Sequence, residues 1–362
     1  MPGTVAFAPS TAPRLAGSVL RPAVLAAAAL LLSTLRLPAP AGVLAEDVVP
    51  PEPRSACAQY PVATATCNWF DARRNRPVPA KVYYPARGSE LFPVIIFSSG
   101  LGRSREDCEY LGRYWASHGY VSVHLQHLGS DDAVWQGKLR PMKSLHEAFE
   151  DSHNSCQRLH DVSFAIDELH EMRSRGASFG PWLDLERLGA AGHDLGAQTA
   201  LAIAGQALPR RIGLVDPRVK AIVAMSPPVP LGEVPLITAY RAIHIPCLHI
   251  TGTADDGVVG TTRAPLRRLP FDYIHGDDQF LITLVGADHM VYTGHKLARY
   301  NGLKDALFQR LICIGSTAFW DAYLKGDAGA RAWLTGGGLD AVLGEAGRLE
   351  KKLAFGPLLP AE

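Results

Sequence analysis

An aspartate stands at the centre of Gly192-His193-Asp194-Leu195-Gly196. Leu188 to Ala191 read as a strand entering this pentapeptide, and the small residues from Ala197 to Gly205 read as a helix leaving it. Glycines on both sides, Gly192 and Gly196, permit a sharp strand-to-helix elbow that lifts the central side chain above a sheet. Most residues at such a crest are serines, which attack ester carbonyls. A carboxylate attacking the same carbonyl would make an anhydride, a high-energy product. On a saturated carbon bearing a leaving group, such as a carbon–halogen bond or an epoxide, it forms an alkyl ester, which histidine-activated water can hydrolyse. An aspartate with its ordinary pKa of about 3.9 is ionised at neutral pH and needs no base to become nucleophilic.

Three more segments supply partners for that chemistry. Gly286-Ala-Asp-His289 ends a β-rich run and offers His289 as general base. Gly252-Thr-Ala-Asp-Asp-Gly257 follows another strand and offers Asp255 or Asp256 as the acid that fixes the histidine tautomer. Asp255 is the nearer to the strand end, yet both stay open; Asp288, adjacent to His289, would point elsewhere. Ser98-Ser99-Gly100-Leu101-Gly102 follows a third strand. The backbone N–H groups of Leu101 and Leu195 are placed to face developing negative charge.

Other residues carry weaker signals. His124 and His127, with Asp131 and Asp132, have metal-ligating side chains, but the i, i+3 histidines around a strand end do not share a face. Trp135, Met142 and Phe149 offer either an apolar wall for substrate or packing of their segment onto the body. No glycine-rich loop with lysine and no CxxC or CxxH spacing occurs, so the sequence predicts neither a nucleotide cofactor nor a metal. Gly315-Ser316 lies in a helical stretch and lacks the paired glycines of an elbow.

The elements that position these segments alternate between strand and helix. Phe92–Ser98 and Tyr120–Leu125 are continuous apolar runs, the pattern of strands buried on both faces. Val219–Met225, Cys247–Thr251 and Gln279–Val285 read as further strands, and 106–118, 156–175 and 308–324 as helices. Thr66 to Tyr84 reads as a hairpin broken at Asp71–Asn75. This pattern predicts an α/β fold: a doubly wound, mostly parallel sheet with helices on both faces. Sites in such sheets lie at the carboxyl ends of strands, where all four segments fall. Residues 128–155 are polar and irregular, an excursion suited to capping a site.

Over about residues 65–330 the chain resembles an α/β-hydrolase, nearest to the dienelactone hydrolase and platelet-activating-factor acetylhydrolase-like group of ester hydrolases. The resemblance rests on chain order: Asp194 at the nucleophile position of the Gly192-His193-Asp194-Leu195-Gly196 elbow, then Asp255 or Asp256, then His289. Ser98–Gly102 matches the family's oxyanion loop, with Ser99 where histidine is usual. The elbow by itself is similar to those of haloalkane dehalogenases and epoxide hydrolases. It departs from them in placing Leu195 where dehalogenases carry a tryptophan and in lacking a His-Gly-x-Pro loop. The resemblance implies a hydrolase of ester-hydrolase ancestry, with Asp194 either as nucleophile or as base for direct attack by water, acting on a small or acyl-bearing organic molecule without a cofactor. Two other readings remain: a dehalogenase or epoxide hydrolase with an aspartate nucleophile, and a binding module that has lost catalysis.

The 362 residues carry a formal net charge of +1 and no run of like charge, which argues against a nucleic-acid-binding surface. Arg14 and Arg21 precede an apolar run from Ala23 to Leu32, and Val43-Leu44-Ala45 offers small residues for cleavage. Residues 1–45 therefore read as an export signal, cleaved or retained as an anchor, and 46–65 as a linker or arm. The hydrolase-like domain then spans 66–330, and 331–362 read as a C-terminal tail. Export implies a secreted or periplasmic protein with no stable membrane insertion after cleavage. In that setting Cys57 and Cys67 suggest a disulfide.

Overall fold

Every position of the strand Phe92–Ser98 (β3) is buried, as its unbroken apolar sequence requires of a central strand. Its side chains alternate between two cores. Ile95 and Phe97 meet one cluster, and Val94 and Ile96 meet the other. These positions belong to the computed structural model of the chain, which describes residues 58–354 except 89, 210–213, 231, 233 and 295–301. The expected export signal, most of the linker and Cys57 lie outside the described residues. Cys67 carries a free thiol.

Around β3 the chain builds a nine-stranded sheet. Val62–Asp71 (β1) and Arg76–Pro85 (β2) form the expected hairpin, with Asp71 opposite Arg76. β1 thus begins at Val62, four residues before the domain start at 66 that the sequence reading gives. Val121–Leu125 (β4), Leu183–His193 (β5), Val219–Met225 (β6), Cys247–Ala254 (β7), Gln279–Asp288 (β8) and Gly347–Lys352 (β9) complete the set. Their spatial order is β1-β2-β4-β3-β5-β6-β7-β8-β9. The strands from β3 to β8 run parallel, while β1, β2 and β9 pair antiparallel at the margins.

Helices cover both faces. Glu109–Ser117 (α1) and Gly302–Tyr323 (α7) pack on one through Leu111, Trp115, Phe319 and Trp320. Ser152–Ser174 (α3), Leu195–Ile203 (α4), Leu236–Tyr240 (α5) and Leu269–Tyr273 (α6) lie over the other through Val162, Ile166, Leu201, Tyr240 and Ile274. The architecture is therefore α/β with a mostly parallel sheet flanked by helices. No helix among the described residues is long and apolar enough to cross a membrane.

Two segments differ from the sequence expectation. The excursion at 128–155 contains a 3-10 turn at Asp132–Val134 and a helix, Pro141–Glu150 (α2), started by proline at its first position. Residues 331–354 do not trail as a tail. Ala328–Thr335 (α8) and Gly338–Leu343 (α9) bury Trp333, Leu334 and Leu339, and β9 hydrogen-bonds along the outer edge of β8. Their glycines (Gly336, Gly337, Gly338) obscured a pattern that becomes apolar only where it meets α7.

The order of strands reverses beside β3, since β4 lies on one side of it and β5 on the other. Loops leaving β3 and β5 diverge there, and this is the crevice where an open α/β sheet can hold a ligand.

Candidate active site

Asp194 sits in that crevice, between the last residue of β5 and the first of α4, with φ 54° and ψ −122°. Few L-residues adopt this conformation, and it persists only where the surroundings impose it. Here the imposition is steric. A Cβ on Gly192 would lie 2.3 Å from the Gly196 carbonyl, and one on Gly196 would lie 1.9 Å from the Ser98 oxygen. The elbow is pressed against the β3 loop, and only glycine fits at these two positions.

The carboxylate of Asp194 is shared between two partners. Its Oδ2 accepts the Leu101 backbone N–H at 3.3 Å, and its Oδ1 lies 3.7 Å from His289 Nε2. The second distance is beyond a hydrogen bond and within an ion-pair contact. The Leu101 N–H, expected to face developing negative charge, here meets the carboxylate of Asp194 itself. Leu195 opens α4, so its N–H has no partner of its own within the helix.

His289 is held from behind. Its Nδ1 lies 2.9 Å from Asp255 Oδ1. Asp255 is fully buried, accepts from Thr251 Oγ1 at 2.9 Å, and receives Arg267 Nε on its own backbone oxygen at 2.7 Å. The Arg267 guanidinium also stands 3.2 Å from the carboxylate. Asp256 turns away instead. It is half exposed, pairs with Arg263 at 2.7 Å, and caps the Ala264 N–H. The two adjacent aspartates therefore part, and Asp255 is the one at the histidine. Asp288 accepts from the Met290 N–H and takes no part.

Sequence reasoning missed Ser226. Its hydroxyl lies 2.8 Å from both Asp255 Oδ1 and His289 Nδ1, and it has φ 54° directly after β6. Its position at a strand end was a usable signal. Its contact with residues from two other strand ends was not. His193 was expected only as part of the elbow. It is buried against the rings of His289 and Tyr292, at centroid distances of 4.8 and 5.1 Å. Burial, reinforced by the nearby His289, Arg103 and Arg267, holds its pKa well below the ordinary histidine value, so it stays neutral.

A cavity of about 560 Å³ opens over these groups, lined by Leu101, Arg103, Trp135, Leu145, Val258 and Val259 among others. Trp135 Nε1 donates to the Gly102 oxygen at 2.7 Å and braces the loop that carries Leu101. Phe149 and Leu145 pack with Leu101 and Leu195, so the α2 segment lies against the two loops of the elbow region. Met142 is exposed and does not line the cavity.

His124 and His127 do not converge. His124 stacks on Phe97, donates from Nδ1 to the Asp107 carbonyl and accepts at Nε2 from Ser122 Oγ, whereas His127 meets Asp161 of α3 at 3.0 Å. Asp131 accepts from Gln126, and Asp132 from Gln136. Among the described residues no group of three His, Cys, Asp or Glu side chains is arranged to hold a metal ion. Compared with models of known protein families and with curated proteins, the chain matches none of them.

Proposed function

We propose that this protein is a hydrolase on an α/β-hydrolase fold, of ester-hydrolase ancestry, in which Asp194 is a covalent nucleophile toward a small organic electrophile. The strand order, the elbow at the switch point and the order Asp194, Asp255, His289 all support the fold reading. The chemistry rests on one observation. The oxygen that occupies the Leu101 N–H belongs to Asp194 itself.

In an esterase that N–H must receive the substrate's carbonyl oxygen. With Asp194 Oδ2 in its place, the arrangement suits a substrate that brings no carbonyl. Oδ1 attacks a saturated carbon, and the leaving group departs with the bonding electron pair; an epoxide oxygen departs by ring opening and takes a proton from solvent. The resulting alkyl ester keeps Oδ2 as its carbonyl oxygen, beside Leu101. His289 Nε2 then takes a proton from water, which attacks Cγ of Asp194. Negative charge gathers on Oδ2 and is met by the Leu101 N–H. Collapse releases the alcohol, protonated by His289, and leaves one solvent oxygen in the carboxylate. Asp255 and Ser226 orient His289 and stabilise its charged form. The reading includes export, carried by residues 1–45.

The test is a single turnover in heavy-oxygen water on epoxide, haloalkane and ester panels, followed by mass analysis of the peptide holding Asp194. The expected result is label in that peptide after turnover of an epoxide or haloalkane. Turnover without label would mean direct attack by water. An inert protein on all three panels would favour the binding module.

A further inference from the structure

Arg158 of α3 is a guanidinium with 1% of its surface exposed. Its Nε donates to Thr199 Oγ1 at 2.9 Å, its Nη1 to Ser130 Oγ at 2.9 Å, and its Nη2 to the Ser99 carbonyl. All three acceptors are neutral. A buried cation satisfied only by neutral oxygens carries a large desolvation penalty unless negative charge stands nearby. Burial indeed lowers its pKa to about 10, and Asp194 leads the carboxylates that oppose this, ahead of Asp161 and Asp131. It remains protonated at neutral pH.

The acceptors are not scattered. Ser99 lies two residues before the Leu101 N–H that meets Asp194. Thr199 in turn donates to the oxygen of Leu195, the residue that follows Asp194. One planar fork therefore ties the β3 loop to the first turn of the elbow helix. One helical turn further along α3, Asp161 accepts from Arg76 at 2.8 Å and meets His127 Nδ1, whose Nε2 reaches Ser98 Oγ at 3.2 Å. The same face of α3 thus grips Ser98 and Ser99 together. Burial lowers the His127 pKa to about 4, so the charged groups beneath the loop are Arg158, Arg74 and Arg76 against Asp161 and Asp131.

We infer that Arg158 is a positioning residue for Asp194: a buried cation whose fork locks the Leu101 loop to the elbow helix. Its catalytic meaning rests on the nucleophile reading above, but its physical effect is measurable without turnover. Measure amide hydrogen exchange by NMR in the full chain, read at Leu101 of the loop and at Leu195 of the elbow helix. Arg158→Met, which removes the fork, is expected to speed exchange of the Leu101 amide with heavy water at least about tenfold. Arg158→Lys loses the fork, and its Leu101 amide is expected to exchange with heavy water at least about tenfold faster, as a loosened loop would. An unchanged Leu101 exchange rate in folded Arg158→Met overturns the inference. Should that variant not fold, Arg158→Gln is the second neutral replacement, and an unchanged Leu101 exchange in Arg158→Lys overturns it by itself. Failure of the nucleophile reading shows separately, as absence of heavy oxygen in Asp194.

Discussion

At the scale of single residues, the separation of Asp255 from Asp256 has the clearest consequence. Asp255 is dry and bonded to His289, while Asp256 sits at the surface with Arg263. Asp255→Asn would present an amide to Nδ1 and favour the wrong imidazole tautomer. Hydrolysis of the Asp194 ester is then expected to slow by about 10³–10⁴-fold, by comparison with the loss when a triad aspartate becomes asparagine. Asp256→Asn removes only a surface pair and is expected to change that rate by less than about threefold. The measurement is the decay of alkylated Asp194 after a pulse of an aryl glycidyl ether, followed by peptide mass. Equal decay in both variants would reject the assignment of Asp255.

At the scale of elements, the elbow is shaped by contact between β5–α4 and the end of β3. Gly196 has no room for a methyl group, with the Ser98 and Ser99 oxygens 1.9 and 2.8 Å from where its Cβ would stand. Backbone cannot yield as a flexible side chain can, so Gly196→Ala must push the β3 loop away from the elbow. The expected cost is at the upper end of the ~1–3 kcal/mol typical of overpacking, read as a lower midpoint in urea unfolding. A variant of unchanged midpoint would mean the two loops are not in this contact. The same loop is braced from outside by Trp135 and from below by Arg158, so it is held on three sides.

At the scale of the whole molecule, three fully buried histidines link stability to pH. Burial lowers His127 and His249 to about 4 and His124 to about 3, against an ordinary value of 6.5. Each folded value lies below the unfolded one, so between them the unfolded chain binds a proton that the folded chain does not. Stability is then whole above pH 6.5 and falls as pH drops toward 4. Each histidine contributes on the order of 3 kcal/mol over that window. Asp161, held below the carboxylate range despite burial by its His127 hydrogen bond and then by Arg76, and Asp216, held there by Arg218, add a further loss at lower pH. The expected result is a melting temperature that falls steeply from pH 6.5 to 4. A flat profile over that interval would contradict the burial of these imidazoles.

The sequence by itself determined the alternation of strand and helix, the two-sided burial of β3 and β4, and the presence of a carboxylate at the elbow with a histidine and an acid after later strands. These are local properties. Apolar periodicity and flanking glycines are written within a few residues, and the strand-end rule converts chain order into approximate position. Tertiary structure alone decided which of two neighbouring aspartates meets His289, because a turn sends adjacent side chains in different directions. It alone brought Ser226 to Asp255 and His289, which lie 29 and 63 residues away, and Arg158 to Ser99 across 59. It also turned the expected tail into an edge strand. No local pattern encodes such meetings, since they depend on how separate elements pack once the sheet has formed.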